Sequence, residues 1–233
     1  MSRGSPLVRC TGVARTYGSG RSAVVAVYGA TCDVFAGDRI AIVGPSGSGK
    51  TTLLHVLAGL DRPSAGTIEW PALGGAEQLR PWPVSLVFQG PSLLPPLDVL
   101  ENVALPVLLT GADRTTATTV ARDALAKLGL DDLASKLPEE LSGGQAQRVG
   151  VARALATSPL LILADEPTGQ LDHANAADVI DALVDASSAT GAACIVSTHD
   201  HELAARLPRR WEMSDGTLRT DDVGADRREQ CSA

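Results

Sequence analysis

The stretch "RIAIVGPSGSGKT", residues 39–51, is an apolar run that breaks abruptly into glycine, serine and lysine. Continuous rather than alternating hydrophobicity predicts a strand covered on both faces. The break fits G-x-x-x-x-G-K-[ST], with a helix expected over 50–59. In that setting Gly44, Gly47 and Gly49 let successive backbone N–H groups turn toward one anion, and the helix start adds its positive end. Pro45, Ser46, Ser48 and Thr52 complete the cradle. Lys50 is placed to reach the β- and γ-phosphates of a nucleotide, and Thr51 to bind Mg²⁺ through its hydroxyl. The chain holds only three lysines against seventeen arginines, so a lysine here is not what composition would supply by default.

Three further apolar runs follow: "VSLVFQ" (84–89), "LLILADE" (160–166) and "ACIVSTHD" (193–200). Helical segments are expected between them at 114–129, 144–157 and 173–189, the first with Ala117, Ala121, Ala124, Leu125 and Leu128 on one face. The pattern is α/β: a phosphate-loop core with a mostly parallel sheet. The four runs end in Gly44, Gln89, Asp165–Glu166 and His199. Open α/β sheets bind ligands outside the carboxyl ends of their strands, so four separate runs point at one crevice. Before the first run, "LVRCTGVARTYG" and "AVVAVYGATCDVFAGD" read as short antiparallel strands. Residues about 90–145 read as a mostly helical insertion. One nucleotide-binding domain is expected over 1–220, and the polar residues 221–233 are expected to be a disordered tail.

Composition narrows the function. The chain is 44% hydrophobic and 20% charged, as a globular protein should be, and its net charge of −7 argues against a nucleic-acid partner. Aromatics are 3%, so the core must rest on Val, Leu, Ile and Ala. Cys10, Cys32, Cys194 and Cys231 form no CxxC pair, which favours buried thiols over a disulfide or zinc site. No run approaches the roughly 18 apolar residues of a membrane span, and a cytoplasmic location is expected.

Each strand end suits a role in phosphate chemistry. Asp165 can hold a hydrated Mg²⁺ opposite Thr51, leaving Glu166 to polarise an attacking water. A helix-capping Asp–Glu pair is the competing reading, because Pro167 fits a helix start. His199 can hold the γ-phosphate, or the water and Glu166, in line. The Gln89 amide can reach the metal or its water and report whether a γ-phosphate is present. Tyr17, in a glycine-rich turn, is a candidate to stack on adenine, or a plain turn tyrosine. Trp70, Trp82 and Trp211 read as packing residues.

A second glycine loop, "LSGGQAQRVG" (141–150), precedes a helical stretch. Ser142, Gly143, Gly144 and Gln145 offer a hydroxyl, free amides and a helix N-terminus, all suited to an anion. Taken in order, "GPSGSGKT", "VFQ", "LSGGQ", "LLILADEP", "GQLD" and "STHD" resemble the ATP-binding cassette family over about residues 7–219. The resemblance implies ATP and Mg²⁺ as ligands and a head-to-tail dimer of two copies. In that dimer the 142–145 loop of one copy covers the ATP of the other, and Asp172 crosses the interface. It also implies an integral membrane permease as partner, placing the chain at the inner face of the membrane.

"YGSG", "LDRPSAG", "FQGPSLLPPLDVLENVALP" and "DEPTGQLD" further resemble the branch serving lipoprotein release, macrolide export and division-linked permeases. The implied activity is ATP hydrolysis that drives the permease, of export type; an ATPase that regulates a membrane complex mechanically, without moving a solute, is the alternative. Residues 69–84, "EWPALGGAEQLRPWPV", depart from the family pattern, which usually has a more regular strand and short helix there. Ala146 is a neutral change. If the first loop is the phosphate cradle, Lys50→Ala abolishes ATP binding or turnover, as measured by nucleotide titration and phosphate release.

Overall fold

The structure, a computed structural model, describes residues 4–169, 171 and 173–221. Asp172 and residues 222–233 of the expected tail lie outside the described residues.

The run that opens the phosphate loop forms β3 (Arg39–Val43), and α1 (Lys50–Leu57) follows it. The other apolar runs form β5 (Val84–Val87), β6 (Leu161–Asp165) and β7 (Ala193–Thr198). Two strands not anticipated from the sequence, β8 (Arg209–Ser214) and β9 (Thr217–Arg219), complete a six-stranded sheet of order β5-β6-β7-β3-β8-β9. All pairs are parallel except β8–β9. The β8 sequence "RRWEMS" alternates in burial and holds charges on its exposed side, so it lacks the continuous apolar signal of its neighbours.

A period of two along each strand divides the interior into two layers. Ile40, Ile42, Leu161, Leu163 and Ile195 face α1 and a separate antiparallel sheet, packing with Leu53, Leu54, Leu57 and Trp211. That sheet has the order β2-β1-β4, from β1 (Val8–Tyr17), β2 (Val24–Val34) and β4 (Ala65–Glu69). The alternate residues Ala41, Val43, Ile162, Ala164, Cys194 and Val196 face the other way. They meet Val179, Ile180 and Leu183 of α5 (His173–Thr190) and Val151 and Ala154 of α4 (Gly143–Leu155).

Between β5 and α4 lie α2 (Val99–Leu109) and α3 (Arg114–Ala126), which with Val149 and Ala152 of α4 enclose a third apolar cluster. Asp98 and Asp113 cap the two helices by accepting from backbone N–H groups of the first turn. One helix, α4, therefore contributes to both the sheet layer and the helical layer. A short α6 (His201–Ala204) follows β7, its start capped by Asp200.

Residues 69–84 contain only a 3₁₀ turn at Ala76–Gln78 between β4 and β5. They are anchored by buried Leu73 and Leu79 and by Trp70, whose Nε1 donates to the Leu57 carbonyl at 2.9 Å. Trp82 is exposed, against the expectation that it packs, whereas Trp70 and Trp211 are buried. Cys10, Cys32 and Cys194 are buried free thiols, and burial pushes the Cys194 thiol up to about 12. Among the described residues no helix is long and apolar enough to cross a membrane.

Trp211 is fully buried, and its Nε1 has no partner among the described residues. Trp211→Ala is expected to lower stability by about 3–5 kcal/mol, read from urea unfolding. Trp211→Phe should lower it less, since no indole hydrogen bond is lost.

Candidate functional site

The loop after β3 is shaped by two carbonyls that press on it from neighbouring strands. A Cβ on Gly44 would stand 2.1 Å from the Met213 carbonyl oxygen of β8. Gly49, at φ +102°, would place a Cβ 2.0 Å from the Ala26 carbonyl oxygen of β2. These two glycines are required by close approach as well as by turning. The Gly216 N–H donates to the Ser48 carbonyl at 3.1 Å, tying the β8–β9 turn to the same loop. Ser48 Oγ is buried with no hydrogen-bond partner among the described residues.

Lys50 is buried, and its Nζ donates to the carbonyls of Gly44 (2.9 Å) and Pro45 (3.0 Å). It also lies 3.3 Å from Glu166 Oε1. The other Glu166 oxygen is 3.5 Å from His199 Nδ1. Loop lysine, β6-end glutamate and β7-end histidine thus form one chain of contacts across three strand ends. Glu166 adopts φ +42°, a left-handed conformation that costs a non-glycine residue about 1–3 kcal/mol. No helix starts at Pro167, so the helix-capping reading of the carboxylate pair does not hold. Asp165 is buried, and its Oδ1 accepts from Ser197 Oγ at 2.7 Å.

A cavity of about 240 Å³ opens at these strand ends, lined by Ser46, Gly47, Gly49, Lys50, Thr51, Thr52, Gln89 and Glu166. Gln89 lies two residues beyond the end of β5, not within it, and its amide sits beside Gly169. A larger cavity of about 730 Å³ lies among α3, α4 and α5 and shares no residue with the first. It carries no residue of the loop over 44–52 and none of Gln89, Asp165, Glu166 or His199, so the smaller cavity is the candidate site.

Thr51, Gln89 and Asp165 each offer an oxygen of the kind Mg²⁺ takes; Thr51 and Gln89 line the cavity, whereas Asp165 does not. Among the described residues no cluster of three or more His, Cys, Asp or Glu side chains could hold a metal unaided. Such a set suits an ion that arrives with phosphate oxygens and water as its remaining ligands.

The signature residues stand apart. Ser142 caps α4: its Oγ accepts from the Gln145 N–H at 3.2 Å, and its own N–H donates to Gln145 Oε1 at 2.9 Å. This reciprocal cap leaves the Gly143 and Gly144 amides at the helix start outside the helical ladder. None of the four residues lines the cavity. Tyr17 does not line it either; its hydroxyl donates to Asp61 Oδ2 at 2.6 Å, and the Arg15 guanidinium lies 4.5 Å from its ring centroid. Burial pushes the Asp61 carboxyl up, but hydrogen bonds from Tyr17 and Arg15 outweigh this and hold it below its ordinary value.

A family model described as ABC transporter matches residues 27–169. The chain belongs to the ABC transporter family. It is 44% identical over 223 residues to the lipoprotein-releasing system ATP-binding protein LolD of Chromohalobacter salexigens, covering 92% of this chain and 94% of that one. Among solved structures it is similar to the ATP-binding cassette MJ0796, seen as a dimer in a post-hydrolysis state bound to ADP and Pi. That match has 32% identity and a TM-score of 0.82, and covers 91% of this chain and 98% of the other. It is also similar to cbiO1 of Clostridium perfringens, part of the ABC transporter complex cbiONQ, at 26% identity and a TM-score of 0.80, covering 92% of this chain and 87% of that one. This ABC ATPase therefore binds and hydrolyses ATP as a transporter subunit.

Three contributors to the ABC ATPase site escaped the sequence reading. Ser197 binds the β6 carboxylate, but in "IVSTHD" it reads as one more strand residue. Gln147 is buried, with its Nε2 donating to the Phe88 carbonyl at 3.0 Å. Arg153, whose guanidinium is pulled below its ordinary value by burial, donates to the carbonyls of Ser92 (2.8 Å) and Pro91 (3.2 Å). Both clasp the segment that carries Gln89, and at six residues apart on α4 they share no helical stripe that would have marked them. Gly49→Ala is expected to weaken ATP binding at least tenfold (about 1.4 kcal/mol), because the added methyl meets a backbone carbonyl that cannot move freely. Isothermal titration measures it.

Proposed function

We propose that this ABC ATPase drives a separate integral membrane permease by closing on ATP as a head-to-tail dimer of two copies, and that its work is lipoprotein release, an export-type task. One observation carries the reading. The cavity gathers the phosphate loop, Gln89 and Glu166 but none of Ser142, Gly143, Gly144 or Gln145, which stand exposed or half-buried at the start of α4. A capped helix start with two amides outside the helical ladder suits an anion, and it lies outside the cavity of its own chain. A second copy, turned head to tail, would bring it over the phosphates. The dimeric MJ0796 relative supports a dimer, the LolD relatives support the cargo class, and cbiO1, part of a transporter complex, supports a transporter partner. The chain would then work at the inner, cytoplasmic face of the membrane.

The residues divide the work as follows. Tyr17 offers the ring face opposite Arg15 to the adenine. The N–H groups of Ser46, Gly47 and Gly49 cradle the phosphates with the side chains of Ser46 and Ser48, Gly44 and Pro45 shaping the entry. Lys50 exchanges its two carbonyl acceptors for phosphate oxygens. Thr51, Gln89 and Asp165 would hold Mg²⁺, which when bound neutralises charge on the β- and γ-phosphates. Thr52 lines the same wall. Glu166 polarises the water for in-line attack, and His199 holds the Glu166 carboxylate in place. Asp172 would cross to the partner copy. ATP binds the closed dimer more tightly than the open monomers, and that difference supplies the work passed to the permease through the Gln89 segment.

Glu166→Gln is expected to keep ATP binding while losing turnover at least 100-fold (about 2.7 kcal/mol), and to shift from monomer to dimer in light scattering when ATP and Mg²⁺ are added. Ser142→Arg in that background should stay monomeric. Dimer formation that survives Ser142→Arg would defeat the shared-site arrangement.

A further inference from the structure

We infer that Ser197 is a positioning residue for both carboxylates of the site, fixing Asp165 toward the metal and Glu166 toward the water through a single hydroxyl. Asp165 and Ser197 are direct partners in the parallel β6–β7 pairing, so their side chains emerge side by side on one face. Ser197 is fully buried. Its Oγ donates to Asp165 Oδ1 at 2.7 Å and accepts from the Glu166 N–H at 2.9 Å. The same N–H also lies 3.2 Å from the Ser197 carbonyl oxygen. One residue therefore receives the amide of the strained Glu166 twice over and occupies one oxygen of its neighbour.

The consequence follows from what each bond removes. With Oδ1 taken by Ser197, the other Asp165 oxygen is the one left to face a metal. At Glu166 the left-handed turn, its amide held by Ser197, places the side chain beside Lys50 and His199. A serine hydroxyl can do both because it donates one hydrogen and accepts another. Alanine and valine can do neither, leaving the Glu166 amide only the backbone carbonyl at 3.2 Å, and threonine keeps both.

This inference rests on the reading of Asp165 as the metal-facing carboxylate, and the test separates the two. Mn²⁺ is titrated into the full-length chain with ADP, following the free-ion signal by electron paramagnetic resonance, and ADP binding is measured in parallel without metal. Loss of a hydrogen-bonded partner behind a metal ligand typically weakens the site by about 10–100-fold. Ser197→Ala and Ser197→Val are expected to raise the Mn²⁺ midpoint at least tenfold (about 1.4 kcal/mol), to lower kcat with KM for ATP unchanged, and to leave metal-free ADP binding intact. Ser197→Thr should restore the midpoint. An unmoved midpoint in Ser197→Ala, with Asp165→Asn raising it, overturns the role of Ser197 alone. An unmoved midpoint in Asp165→Asn overturns the metal reading of Asp165, and the inference with it. Equal losses with and without metal would reduce Ser197 to a packing residue.

Discussion

Burial of both faces of the parallel sheet is the constraint from which the rest of this structure follows. Strands β3, β6 and β7 carry unbroken apolar runs over residues 40–43, 161–164 and 193–196, and each run must be covered from both sides. Helices α4 and α5 cover one side, and α1 with the antiparallel sheet covers the other. Parallel strands need crossover connections, which return each chain segment to the same starting edge. All the carboxyl ends are thereby delivered to one rim. The polar residues there do not have to find each other; the sheet brings them within hydrogen-bonding range.

That rim is densely bonded before any ligand is considered. Lys50 contacts two loop carbonyls and Glu166, Glu166 contacts His199, and Ser197 contacts Asp165 and the Glu166 amide. A buried lysine beside a carboxylate avoids the cost of an isolated charge, which in a low-dielectric interior is several kcal/mol. The loop itself is held open by carbonyls of β2 and β8 that leave no room for a Cβ at Gly44 or Gly49. Phosphate recognition and fold stability are therefore enforced by the same contacts.

The helical layer hangs from this rim by α4. Val151 and Ala154 face the sheet, while Val149 and Ala152 face α2 and α3. From the same helix Gln147 and Arg153 grip the segment of Phe88 to Ser92, next to Gln89. Ser142 sits at the head of that helix. An interaction at Ser142 and a shift at Gln89 are thus mechanically joined through one rigid element three to four turns long. This is a physical route between a neighbouring molecule and the segment proposed to meet the permease.

Residue order alone determined that the chain is α/β, that a glycine-rich turn joins its first apolar strand to a helix, and that Gln89, Asp165, Glu166 and His199 stand at or just beyond the ends of apolar strands. Local pattern suffices for these because a fully covered strand must be apolar throughout and a phosphate turn must be rich in glycine. It also marked 69–84 as irregular, where the structure has little regular secondary structure. Strands β8 and β9 stayed hidden because an alternating, charged strand carries no such signature. Only the tertiary structure decided that Gly44 and Gly49 answer to the carbonyls of Met213 and Ala26, that Trp82 is exposed, and that Ser197 links both carboxylates. Each of these depends on which strand lies beside which, and neighbours across a sheet are far apart in the chain.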